Sequence, residues 1–369
     1  MGNIFRIIAR YAIISVILTT SVNGQIFKDT ASLNMIKKGV DSIYNMQFKY
    51  ADMVYSKISQ KYPDHPLVIL YKGIEIYWEN YPLLPTSAIY PSFEEIMRKC
   101  ITKSERNSSS PNEAEYLLAN LCARGLLISF YANNDLHNEV FLLASSTYQY
   151  IRKSFDFTSY SPDYFFFTGI YNYYREVYPK MHPIYTPLVI FFRKGTRVGG
   201  LEDLQKAASN SILLKAESYS DLSYIFVSYE NDYQKAYTYS KHAHELCPEN
   251  PEYLSEYIKN LLLIKKYDEA ESLIMSSDSL QSNPYFKAQL SIYKGIIQEK
   301  KYLKNELAEQ LYYKGLQDIS AYNAYGHEFE AYAYFGLSRI CGINGQKENK
   351  NNFRKEALKL CDLKAITFD

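Results

Sequence analysis

The sequence has few of the devices by which a protein does chemistry. It holds six histidines, and none falls in an H-E-x-x-H or comparable frame. His242 and His244 stand two apart in a helical segment, so their side chains diverge by roughly 200° and cannot chelate one metal. His65, His137, His182 and His327 are isolated, as are the carboxylates Glu94, Glu95 and Asp203, whose expected role is solvated helix surface. No C-x-x-C pair occurs among Cys100, Cys122, Cys247, Cys341 and Cys361, which removes the usual metal and redox motif. The G-K-[ST] of a phosphate loop is absent too, and no stretch alternates strictly enough for a half-buried strand. These gaps predict a non-enzymatic, all-α protein with no metal and no cofactor.

Charge of one sign is also lacking. Residues 1–24 read as an export signal: Arg6 and Arg10 supply the basic region, Tyr11 to Leu18 a short apolar core, and Val22-Asn23-Gly24 a small-residue cleavage site. The apolar run is too short to span a bilayer comfortably, so no transmembrane segment is expected in the mature chain, 25–369. An uncleaved amphipathic anchor is the other reading, but Ser15, Thr19 and Thr20 interrupt the apolar face without adding basic residues. Cleavage after Gly24 removes two arginines and turns a formal net charge of +1 into −1, leaving no global pull toward nucleic acid. Gln25 stands where a lipoprotein would carry its acylated cysteine. The expectation is a soluble exported protein, periplasmic or extracellular. Export favours disulfides, yet five cysteines is an odd number. Cys341 and Cys361 end the two arms of the last hairpin at opposite ends, too far apart to pair. Buried free thiols are expected.

What is abundant is tyrosine, 38 in 369 residues. Tyrosine can cover apolar surface while its hydroxyl stays wet, which suits a thin helical array with much surface. Spacing gives the array its register. Tyr233 and Ala236 recur 34 residues later as Tyr267 and Ala270, and Pro248 closes the first of these helices. The same frame places Phe48, Ala51, Tyr55 and Pro63 on one helix, and Gly39 and Gly73 at the small position of two others. Further pairs follow at 113–154, with Gly125 at the small position, and at 163–208, with Gly169 and Gly200 in that role. The last pairs span 221–246, 251–275, 284–317 and 328–363, so that roughly seven pairs result. Pro82, Pro85 and Pro91, and then Pro179, Pro183 and Pro187, mark two irregular insertions.

Gly39, Ala51, Pro63, Gly73, Ala236, Pro248 and Ala270 resemble the tetratricopeptide (TPR) repeat superfamily, in particular its exported, divergent bacterial members. The resemblance implies one domain, a right-handed solenoid whose first helices line a concave groove for a protein or peptide partner. It also assigns Tyr44, Trp78, Phe130 and Tyr174, with Tyr77 and Tyr173 beside two of them, to one position on the concave side. Rigid aromatics there suit capture of a partner, although an aromatic stripe at helical spacing also serves as self-packed core. A second functional reading has the insertions near 78–90 and 174–190 cap the groove into a pocket for a glycan or small ligand. An enclosed aromatic cavity with convergent polar groups favours that reading, and an open trough the first. Finally, Arg193, Lys194, Arg197, Gly199 and Gly200 form a basic, glycine-rich loop opening onto a helix, either a weak anion site or an inter-repeat turn.

Overall fold

The computed structural model describes residues 25–106, 112–183, 192–361 and 363–369; the proposed signal, 1–24, lies outside them. Among the described residues there are sixteen α-helices and no strand. They follow one another as eight adjacent pairs: α1 (Thr30–Tyr44) with α2 (Phe48–Lys61), α3 (Pro66–Glu79) with α4 (Tyr90–Arg106), α5 (Glu113–Ala132) with α6 (His137–Ser154), and α7 (Tyr164–Met181) with α8 (Arg197–Asn210). The second half continues with α9 (Lys215–Ser228) and α10 (Tyr233–Leu246), α11 (Pro251–Leu263) and α12 (Tyr267–Ser276), α13 (Pro284–Lys300) and α14 (Asn305–Ile319), and α15 (Ala324–Ile343) and α16 (Lys347–Lys359). No helix among the described residues is long and apolar enough to cross a membrane.

Small residues set how closely the helices approach. Ala51, Ala236 and Ala270 are fully buried. A Cβ on Gly39 would lie 2.4 Å from the Tyr71 hydroxyl, and one on Gly73 would lie 2.3 Å from the Met97 methyl. At the α7–α8 crossing the obstacle is backbone, since a Cβ on Gly200 would stand 2.4 Å from the backbone nitrogen of Tyr173. Gly125 departs from the expected pattern: nothing lies within 4 Å of its Cβ position, because that face of α5 looks into a cavity.

The turn within a pair also repeats. Met46, Asp135, Asn231, Lys265, Leu303 and Gly345 all have φ between 50° and 75°, and each lies just past the first helix of its pair. In four of these turns the next N–H reaches back to a carbonyl five residues earlier: Gln47 to Ser42, Leu136 to Tyr131, Lys266 to Leu261 and Gln346 to Cys341. This is the Schellman closure, which satisfies carbonyls left open at a helix end. The two pairs without a left-handed residue among their described connecting residues, α3–α4 and α7–α8, are those with the proline-rich insertions.

Several boundaries differ from the sequence reading. Helix α9 starts at Lys215 rather than Asp221, and α15 at Ala324 rather than Glu328. Helix α7 runs on to Met181 with Pro179 inside its last turn; the donor that proline lacks costs one hydrogen bond at an end that is already open. The segment before α1 is fixed by a buried acid, since Glu115 accepts the N–H groups of Ile26 and Phe27, each at 2.9 Å. No disulfide forms among the described residues: Cys100, Cys247 and Cys341 are buried, while Cys122 and Cys361 are half-buried.

Candidate functional site

The site is made where the two ends of the chain meet. Helices α11 and α13 both begin with Asn-Pro, a good start because the asparagine oxygen caps the first turn and proline suits the first helical position. Asn250 Oδ1 accepts from Glu252 N, and Asn283 Oδ1 from Phe286 N. Each cap's amide then donates across the molecule, Asn250 Nδ2 to the Tyr44 carbonyl and Asn283 Nδ2 to the Tyr81 carbonyl, both at 2.9 Å. The C-terminal end of α1 and the segment after α3 are thereby joined to the N-terminal ends of α11 and α13.

Aromatic rings fill this junction. Trp78 lies 5.6 Å from Tyr44, 5.0 Å from Tyr81 and 5.8 Å from Tyr253, centroid to centroid. Tyr81 in turn meets Tyr285 at 6.2 Å and Tyr325 at 5.7 Å. The hydroxyls of Tyr77 and Tyr325, 248 residues apart in sequence, share a hydrogen bond of 3.2 Å. Each such pair contributes about 0.5–1.5 kcal/mol beyond the area it buries.

Beside the junction lies a cavity of about 810 Å³. Every odd-numbered helix contributes to its lining, from Tyr44 on α1 and Leu126 on α5 to Phe167 on α7 and Tyr332 on α15. Exposed Tyr224 and His137 lie in the lining as well, so the cavity opens to solvent.

Part of the cavity wall is acidic. Glu217 and Asp221 sit one turn apart on α9, and Glu252 and Glu256 one turn apart on α11, all four in the lining. Burial pushes Asp221 up to about 8, helped by the charges of Glu217 and Glu256. Burial likewise raises Glu256 to about 7 and Glu217 to about 6. It raises Glu252 as well, with Lys259 acting in the opposite direction. Ser220 donates to Glu256 at 2.9 Å. Lys259, on the same face of α11, is directed at Glu328, 3.3 Å and 3.4 Å from its two oxygens, and Glu328 also accepts from the Tyr332 hydroxyl. Two buried atoms of the cavity lining have no hydrogen-bond partner: Oε2 of Glu252 and the hydroxyl of Tyr253, a residue 1% exposed. Among the described residues no three His, Cys, Asp or Glu converge in a way that would hold a metal ion.

Of the aromatic stripe, the structure brings Tyr44, Tyr77 and Trp78 to the cavity wall. Phe130 is elsewhere, fully buried against Tyr90 and Phe93 at 4.9 Å and 5.5 Å. Tyr173 is buried at the α7–α8 crossing and donates to Glu230 at 2.6 Å, and Tyr174 packs on Tyr229. In the basic loop, Arg193 stacks on Phe155 at 3.8 Å and Arg197 pairs with Glu230. The Arg197 N–H donates to Glu176 at 2.7 Å and the Gly199 N–H to Thr196, while Lys194 is exposed. Donors of this helix N-terminus are thus engaged by the protein's own oxygens.

The sequence reading missed the carboxylates and the C-terminal tyrosines. Starting α9 at Asp221 left Glu217 outside the helix and hid the i, i+4 spacing of the pair. Glu252, in the first turn of a helix, reads as an ordinary acidic start. Comparison with family models and with curated proteins finds no match to the chain.

Proposed function

We propose that this chain is a non-enzymatic, exported helical-repeat protein of tetratricopeptide type that holds a small ligand or glycan in an internal pocket. The observation that carries the binding reading is the junction itself. Trp78 and Tyr81 rest on Tyr253, Tyr285 and Tyr325, so the first helices enclose a cavity of about 810 Å³, within the range of small-molecule sites. A peptide lying along an open groove would have to separate those rings. Of the two insertions, the first supports a capping role, since Tyr81 lines the cavity; none of the described residues 174–183 does. The repeat identity is supported by the close approaches at Gly39 and Gly73, and export by the composition of residues 1–24.

Trp78 is the sole tryptophan and lies on the cavity wall, so energy transfer from it to the uncharged dye N-phenylnaphthylamine reports occupancy. Saturable transfer at about one dye per chain is expected. Dye binding that never saturates, or that gives no transfer, would remove the pocket reading.

A further inference from the structure

We propose that the pocket is built for a linear organic polycation, a di- or polyamine, with its ammonium groups on the carboxylates of α9 and α11 and its methylene chain on the aromatic wall. This rests on the pocket reading above and names the chemical class of its ligand.

Charge balance is the first support. Glu217, Asp221, Glu252 and Glu256 face one cavity, and the lysine among them, Lys259, is directed at Glu328. The other two lysines of the lining are held outside the cluster, Lys359 by Glu356 and Lys364 by Asn231 and Tyr233. A cavity wall with four carboxylates and one committed cation attracts positive charge.

The second support is independent of charge. The Tyr253 hydroxyl is buried, lies in the lining and has no hydrogen-bond partner, a condition that costs free energy unless a bound group completes it. Oε2 of Glu252 is in the same state. The rings of Tyr44, Trp78 and Tyr253 also line this cavity, and an aromatic wall of this kind can stabilise an ammonium group by cation–π attraction.

Geometry selects the kind of cation. The carboxylates do not converge on a point as a metal ion requires; they come as two pairs with one turn between members. That spacing is about 5–6 Å between Cβ atoms, roughly the reach of a three- or four-carbon spacer between amines. Raised carboxyl pKa values fit a cluster that awaits its counter-charge.

The test is a titration of the full mature chain with spermidine at about pH 8.5 and low salt, where most of the carboxylates are charged and screening is weak, followed by Trp78 emission. Saturable binding is expected, weakened by about tenfold or more in Asp221→Asn and in Glu256→Gln. Neither substitution should lower the melting temperature, because each removes a repelled charge. If N-phenylnaphthylamine binds and spermidine does not, or if spermidine binds both variants as well as the parent, the polycation proposal is overturned and the pocket reading stands. If neither probe binds, both are overturned.

Discussion

Of the carboxyls on the cavity wall, Asp221 is the one that burial raises furthest. Its folded pKa of about 8 lies well above the ordinary carboxylate value of about 4. An acid of this kind favours the folded state fully at low pH, and that contribution is lost as pH rises through the folded value. Glu256, at about 7, and Glu217, at about 6, act in the same direction. The melting temperature of the ligand-free protein should therefore fall as pH rises from about 4, where the unfolded carboxyls ionise, and go on falling to about pH 8.5, with Asp221 carrying most of the slope above about pH 6. Asp221→Asn should flatten most of that slope and melt above the parent at the alkaline end. A parent curve that rises across this window, or a variant that keeps the full slope, would show that the acidic wall is not strained.

Among the elements, the turn inside each pair is the most repetitive feature and the least visible in sequence. Its left-handed position holds Met46, Asp135, Asn231, Lys265, Leu303 and Gly345, and a site that accepts six residue types has no signature. The helices themselves could be read, because Ala51, Ala236 and Ala270 are buried where their spacing put them. Their ends could not: α9 begins six residues before the expected Asp221, since tertiary packing extends a helix past where propensity alone would stop it. At Lys265, exposed and with φ of 62°, a side chain costs about 1 kcal/mol that glycine would not. Lys265→Gly should raise stability by up to about 0.5 kcal/mol after glycine's entropy is counted, and Lys265→Val should lower it. Urea midpoints of the three proteins check this; a destabilised glycine variant would mean the turn draws on the lysine side chain.

In the whole molecule, the N-terminal and C-terminal halves touch through side chains far apart in sequence. Half of the candidate site was legible: Tyr44, Tyr77 and Trp78 came from the repeat register. Phe130 did not follow, because the cavity face of α5 runs through Cys122, Leu126 and Ser129, while Phe130 turns to Tyr90 and Phe93. The other half, Tyr253, Tyr285 and Tyr325 with the acidic pairs, is joined to the first by closure, and closure over such distances leaves no local pattern. Asn250 and Asn283 show why: as helix caps they are plain in the sequence, and their second hydrogen bonds across the junction are not.

The contact between Trp78 and Tyr253, 5.8 Å between ring centroids, is the most direct expression of that closure. It is measured by a double-mutant cycle of Trp78→Ala and Tyr253→Ala in urea unfolding. Packed rings across the junction predict a coupling of about 0.5–1.5 kcal/mol between two residues on different halves of the chain. Strict additivity of the two losses would mean that the halves do not meet there and that no cavity is enclosed.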